Sequence, residues 1–110
     1  MCVDERAYLH LADKTFKRLL DALDDVDPED VDVDSAGVVI TIVLRGGKKC
    51  VMNTQRPVRQ IWLAGGARAW HFSWDEAGQR WVDDKNGADE LFATVAKLVR
   101  DATQIELTFR

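Results

Sequence analysis

Eight carboxylates stand close together in one stretch of this chain, and no lysine or arginine interrupts them. We call this stretch, which runs from Asp21 to Asp34, the acidic segment; its acidic members are Asp21, Asp24, Asp25, Asp27, Glu29, Asp30, Asp32 and Asp34. Carboxylate oxygens are hard ligands, which Mg²⁺, Ca²⁺, Mn²⁺ and iron all accept. Because the segment contains no histidine or cysteine, we expect metal to bind there weakly and with little selectivity.

Two other interpretations apply to the acidic segment. It can be a solvated face that only keeps the protein soluble, although like charges at helical spacing destabilise a helix and eight of them exceed what solubility requires. It can also be an EF-hand loop that begins at Asp30. That loop is excluded, because its sixth position would be Ser35 instead of glycine and its twelfth would be Thr41 instead of a bidentate glutamate.

A second group of functional side chains surrounds a proline, in the run from Asn53 to Leu63 that reads Asn-Thr-Gln-Arg-Pro-Val-Arg-Gln-Ile-Trp-Leu. Side chains alternate between the two faces of a strand, so Trp62 points outward if Ile61 and Leu63 point to the core. An exposed tryptophan flanked by amides and arginines is typical of a protein-binding hot spot. The sequence therefore predicts a partner-binding surface; the alternative is a buried Trp62 with amides that bond the loop. The predicted surface consists of Asn53, Gln55, Gln60 and Trp62.

The other residues that could take part in catalysis or metal binding give weaker evidence for such a role. His10 and His71 have no partner at metal-ligand or catalytic-triad spacing, so structural roles are predicted for both. Cys2 and Cys50 lack zinc-ligand spacing and are expected to be reduced thiols. The two Gly-Gly pairs join predicted strands rather than a strand and a helix, which excludes a phosphate-binding loop.

These side chains must be positioned by two helices and a set of strands. Apolar residues at helical spacing predict helices over residues 4–26 and about 88–102, and Pro28 ends the first one. Since each helix has one apolar face, we predict an α+β fold: a two-layer sandwich in which both helices pack on one face of an antiparallel sheet, as a single domain over residues 1–110. The predicted strands are Val31–Asp34, Val38–Leu44, Lys49–Asn53, Arg59–Ala64, Ala69–Trp74 and Gln79–Asp83, with an extended tail over Ile105–Phe109.

The distribution of charge restricts the class of partner. The chain has a net charge of −4, yet residues 1–34 carry −7 and residues 35–74 contain no Asp or Glu. Such a dipolar molecule attracts cations or a basic protein surface and repels nucleic acid. The sequence has no apolar run long enough to span a membrane and no signal peptide at its start, so a cytoplasmic location without membrane contact is expected.

The run from Asn53 to Leu63, together with Trp81 on a later strand, is similar to the signature of the frataxin family and of its bacterial CyaY branch in particular. The stretches 11–13, 23–27, 41–42 and 70–72 also resemble this family. The similarity as a whole runs from about residue 5 to the C-terminus. The resemblance implies an α-β-meander-α fold and weakly bound iron, Fe²⁺ or Fe³⁺, on the acidic segment. It also implies a sheet surface, at the four residues predicted above, that contacts a cysteine desulfurase and its iron–sulfur scaffold protein.

By this resemblance, the protein is an iron-binding regulator or iron donor for iron–sulfur cluster assembly and not an enzyme. It would be a monomer, and the alternative is an oligomer that forms in the presence of iron. The alternative is an adaptor whose acidity serves only protein contact. An enzyme that oxidises ferrous iron is disfavoured, because an exposed row of aspartates is not a protected site. Leu20 and Ala22 stand where relatives continue the acidic run, so the iron stoichiometry stays open.

Overall fold

Along the chain, six consecutive strands lie between two helices. The structure is a computed structural model that describes residues 4–85, 87 and 89–109. Its elements are α1 (Glu5–Asp24), β1 (Val31–Ala36), β2 (Val39–Leu44), β3 (Lys49–Gln55), β4 (Gln60–Gly65), β5 (Arg68–Asp75), β6 (Arg80–Asp83) and α2 (Leu91–Thr103), with a 3-10 turn at Arg56–Val58.

The six strands form one antiparallel sheet whose spatial order equals the order along the chain, β1 to β6. Each strand therefore pairs with its sequence neighbour, as the predicted meander requires. The register aligns Asn53 of β3 with Trp62 of β4, and Trp62 with His71 of β5. These three side chains consequently lie in one row across the sheet.

Both helices cover the same face of the sheet, which confirms the predicted two-layer α+β sandwich. Along β4, Ile61 and Leu63 are 0% and 1% exposed, whereas Trp62 between them is only partly buried. On this inner face, the Trp81 indole N–H donates to the Thr15 hydroxyl across 2.8 Å. This buried hydrogen bond joins α1 to β6 and satisfies the polar atom of a fully buried tryptophan.

Both helices begin later than predicted because polar side chains cap their N-termini. The Asp4 carboxylate accepts the N–H of Ala7 across 2.8 Å at the start of α1, and α1 ends at Asp24, two residues before the predicted end. Glu90 accepts the N–H groups of residues 92 and 93, so it precedes α2 rather than lying in its first turn as expected. The predicted start, residue 88, lies outside the described residues.

The tail after α2 forms no helix or strand among the described residues, and its predicted extended conformation stays a prediction. Ile105, Leu107 and Phe109 alternate with polar residues and pack against the core. The ring of Phe109 lies 4.7 Å from that of Phe92 in α2. The tail therefore adds apolar contacts to the helical layer.

Gly65 and Gly66 end β4 and begin the turn to β5, and the two glycines serve different purposes. Gly66 has a φ of +61°, in the left-handed region that favours glycine. Gly65 is buried, and a Cβ there would stand 3.0 Å from a Leu98 methyl and 3.1 Å from the Cys50 sulfur. The absence of a side chain at Gly65 thus lets α2 approach the sheet.

Candidate functional site

The acidic segment spans the end of α1, the following turn and β1. In β1, Val31 is buried and Val33 partly buried, while Asp32 and Asp34 are exposed on the opposite face, as the alternation predicted. Seven of the eight predicted carboxylates are exposed, and Asp30 is partly buried. The segment is therefore a solvent-facing strip.

Two of the eight carboxylates have local roles that the sequence did not indicate. Arg45, from the turn between β2 and β3, donates from its Nε to Asp30 across 2.7 Å and forms an ion pair with it. Although no basic residue interrupts the segment in sequence, Asp30 is compensated in the fold, because the hairpin turn brings Arg45 beside it. Asp27 accepts the N–H of Glu29 across 2.9 Å and so stabilises the turn that contains Pro28.

The carboxylates of the acidic segment do not converge on a common centre. Over residues 4–85, 87 and 89–109, no group of three or more His, Cys, Asp or Glu side chains is arranged to hold a metal ion. An ion at this strip would thus meet one or two carboxylates at a time and retain water as its other ligands. This geometry suits a loosely held cation.

The four predicted partner-binding residues lie together on the outer face of the sheet, the face that the helices leave open. Asn53 and Gln55 alternate along β3 and face Trp62 and Gln60, respectively, across the β3–β4 pair. All four side chains are partly buried. The structure therefore brings them into one patch, which we call the Trp62 surface.

Trp62 is held by two neighbours. Its indole N–H donates to the Gln60 side-chain oxygen across 2.8 Å. The His71 imidazole stacks on the indole, with ring centroids 4.1 Å apart and planes 13° from parallel. Trp62 points outward as predicted, but it is partly covered rather than free. The contribution of His71 was missed, because it depends on the register of β4 and β5.

The start of β4 is fixed by contacts from α1. The Tyr8 hydroxyl donates to the Gln60 carbonyl across 2.7 Å, and burial of the phenol raises the pKa of Tyr8. Arg56 donates from its Nε to Glu5 across 3.2 Å; this hydrogen bond and the charge of Arg56 lower the pKa of the Glu5 carboxyl. Arg59 adopts a left-handed φ of 52°, so β4 begins one residue later than predicted.

Two members of the acidic segment, Asp32 and Asp34 of β1, share the outer face of the sheet with the Trp62 surface. Cross-strand pairs place Ala36, Val39, Asn53 and Trp62 in one row, and Asp34 lies on the same strand and face as Ala36, two residues away. Three strand spacings of roughly 4.8 Å separate β1 from β4, or about 14 Å in total. One partner of ordinary size could therefore contact both features.

A concavity of about 1130 Å³ lies elsewhere, between the helices and the turns that end β4 and β5. Aromatic rings and charged side chains line it, but several of these charges are already paired: Arg68 lies 3.7 Å from Asp89, and Lys97 lies 3.8 Å from Asp101. We therefore place the candidate site on the outer face and not in this groove.

The remaining sequence candidates lie apart from both surfaces. His10 is exposed on α1. Cys50 is a free, buried thiol on the inner face, and burial raises its pKa. Cys2 lies outside the described residues. No helix within them is long and apolar enough to cross a membrane.

The sequence matches the profile of the Frataxin-like domain over residues 1–105. It is 31% identical over 109 residues to the iron-sulfur cluster assembly protein CyaY of Pseudomonas fluorescens strain Pf0-1, a match that covers 99% of this chain and 97% of the relative. It is 32% identical over 109 residues, with the same coverage, to the protein of that name from Azotobacter vinelandii.

Two solved structures share the fold. Frataxin from Psychromonas ingrahamii superimposes with a TM-score of 0.86 at 23% identity, over 98% of this chain and 99% of that one. Trimeric frataxin from the yeast Saccharomyces cerevisiae, complexed with ferrous iron, gives a TM-score of 0.74 at 29% identity, over 86% of this chain and 87% of that one. The overall fold is thus shared with both structures.

Proposed function

Because this chain belongs to the frataxin family, we propose that it regulates iron–sulfur cluster assembly, or supplies iron for it, without being an enzyme itself. Its partners would be a cysteine desulfurase and the iron–sulfur scaffold protein, and its location the cytoplasm. One observation carries the proposal: Asp32 and Asp34 of the acidic segment lie on the same open face of the sheet as the Trp62 surface. A single docked complex could use both.

The acidic segment is the proposed iron site. Seven exposed carboxylates offer hard oxygen ligands that suit Fe²⁺ and Fe³⁺, and the yeast relative was solved with ferrous iron. Without nitrogen or sulfur ligands, and without a converging group of three, the ion is held weakly and can be passed on.

The same carboxylates are the proposed electrostatic contact with a basic patch of the desulfurase. Exposed charges of one sign steer a partner of the other sign and raise its association rate at low salt. Metal and partner would then compete for one surface. This competition makes docking sensitive to iron, and it is the proposed basis of regulation.

The proposal is tested with an assay of desulfurase activity and cluster formation, with and without this protein. The double variant Asp32→Asn/Asp34→Asn removes two outward charges from β1, and Glu76→Gln/Asp101→Asn removes two exposed charges elsewhere as a matched control. We expect only the first variant to lose the effect on the assay and the salt dependence of binding. Equal behaviour of the two variants would contradict the role of the acidic segment.

The second candidate function is an adaptor whose metal binding is incidental. The Asp30–Arg45 pair and the absence of a converging metal cluster in the described residues favour it. A titration with Fe²⁺ at physiological salt, followed by amide NMR, separates the two functions. Iron donation or regulation requires that signals from residues 21–34 shift first. An adaptor leaves them unchanged yet still binds the desulfurase, and shifts centred on His10 or His71 would contradict the proposed iron site.

A further inference from the structure

Gln60 stands at the centre of a hydrogen-bond network on the outer face. Its side-chain oxygen accepts the Trp62 indole N–H across 2.8 Å, while its nitrogen donates to Ser73 Oγ and to Asp84 Oδ2, each across 3.0 Å. An indole N–H can only donate, so Gln60 must turn its oxygen toward Trp62 and its NH₂ toward acceptors. The Asp84 carboxylate supplies a charged acceptor, the stronger kind.

Asp84 is itself held in place by the sheet. It follows the last residue of β6, and its backbone N–H donates to the His71 carbonyl across 2.8 Å. Its Oδ2 atom, which accepts from Gln60, also lies 4.0 Å from Nδ1 of His71. The Asp84 carboxylate therefore lies near both side chains that hold the Trp62 indole. Gln60 accepts a hydrogen bond from the edge of the indole, and His71 stacks on its face.

We infer that Asp84 is a positioning residue for the Trp62 surface. By fixing the Gln60 amide, it restricts the indole to one orientation before any partner arrives. A side chain that is ordered in advance loses less conformational freedom on binding, so affinity is gained without a new contact. This inference rests on the proposed docking role of Trp62, whereas the geometric part of it concerns the free protein alone.

The geometric part is tested on the free protein by NMR of the four tryptophan indole N–H signals, with that of Trp62 assigned by its loss in Trp62→Phe. Asp84→Ala should shift this signal and speed its hydrogen exchange, whereas Asp84→Asn, which keeps an acceptor oxygen for Gln60, should preserve both. The control is Asp101→Ala, which removes one exposed charge from α2. An unmoved Trp62 signal in Asp84→Ala would overturn the inference.

Binding to the desulfurase–scaffold pair completes the test. Asp84→Ala should bind about fivefold more weakly, the effect of losing one ordinary hydrogen bond, and Asp84→Asn should bind almost like the wild type. Equal weakening by both variants would show that the charge acts on the partner directly and would overturn the positioning role. If Trp62→Phe and Trp62→Ala bind normally while Asp84→Ala still moves the indole signal, the docking proposal fails and the geometry survives.

Discussion

Replacing Trp62 by alanine separates docking from folding, because the structure places this indole outside the core. The side chain is partly exposed, and two contacts hold it: the stack on His71 and the hydrogen bond to Gln60. Their loss should cost about 1–2 kcal/mol of folding free energy, since an aromatic pair and a net hydrogen bond each contribute about 1 kcal/mol. The melting temperature should fall by about 5–10 °C.

The effect on docking should be larger. Truncation of a hot-spot tryptophan typically costs about 2 kcal/mol or more, which corresponds to an affinity about 30-fold lower for the desulfurase–scaffold pair. The matched control is Trp81→Ala. Trp81 is 1% exposed and donates to Thr15, so its truncation should cost about 3–5 kcal/mol of folding free energy.

Thermal melts and a titration of the partner complex, both on purified variants, decide between the outcomes. A Trp62→Ala protein that melts as low as Trp81→Ala would refute the outward orientation of Trp62. A protein that melts as expected but binds with wild-type affinity would refute the docking role of this face and leave the acidic segment as the contact.

Three further predictions concern other parts of the chain. Gly65→Ala should destabilise the fold by about 1–3 kcal/mol in urea unfolding, because the new Cβ would stand 3.1 Å from the Cys50 sulfur; an unchanged midpoint would show that the neighbours yield. Since Arg56 lowers the pKa of Glu5, the stabilisation by this pair is present at neutral pH and lost as the pH falls through the lowered pKa. Glu5→Gln should therefore flatten the acid side of the pH–stability curve. Burial raises the pKa of the Cys50 thiol, so in a Cys2→Ser variant a thiol reagent should modify it only on unfolding, and rapid modification of the native protein would contradict this.

The architecture was predictable because its signals are local. Alternation of apolar residues along the strands gave the inner and outer faces, including the outward direction of Trp62 between Ile61 and Leu63. Turn residues separated the strands, and consecutive hairpins left little choice of topology. Element ends were less accurate, since they depend on capping: Glu90 was expected inside α2, but its side chain caps the helix from outside.

The missed features of the candidate site all depend on contacts between distant parts of the chain. Arg45 reaches Asp30 only because a hairpin turn returns to the start of β1. Asp84 reaches Gln60 across 24 residues, through the order of the last three strands. Periodicity fixes which face a residue occupies, but the neighbour that it meets there depends on strand register and side-chain direction.

The agreement between strand order and chain order has a consequence for the kinetics of folding. Each strand pair closes a short loop, whereas the contacts of α1 with the sheet, Tyr8 to Gln60 and Thr15 to Trp81, span 52 and 66 residues. Loop-closure entropy grows with length, and folding slows as contacts become more distant in sequence. We therefore expect the arrival of α1, rather than strand pairing, to limit the rate; a near-zero effect on the folding rate of Thr15→Val, which removes the acceptor of the Trp81 N–H, would contradict this. Until α1 arrives, the apolar face of the meander is open to other copies, so this slow step is also the one during which the chain is exposed to aggregation.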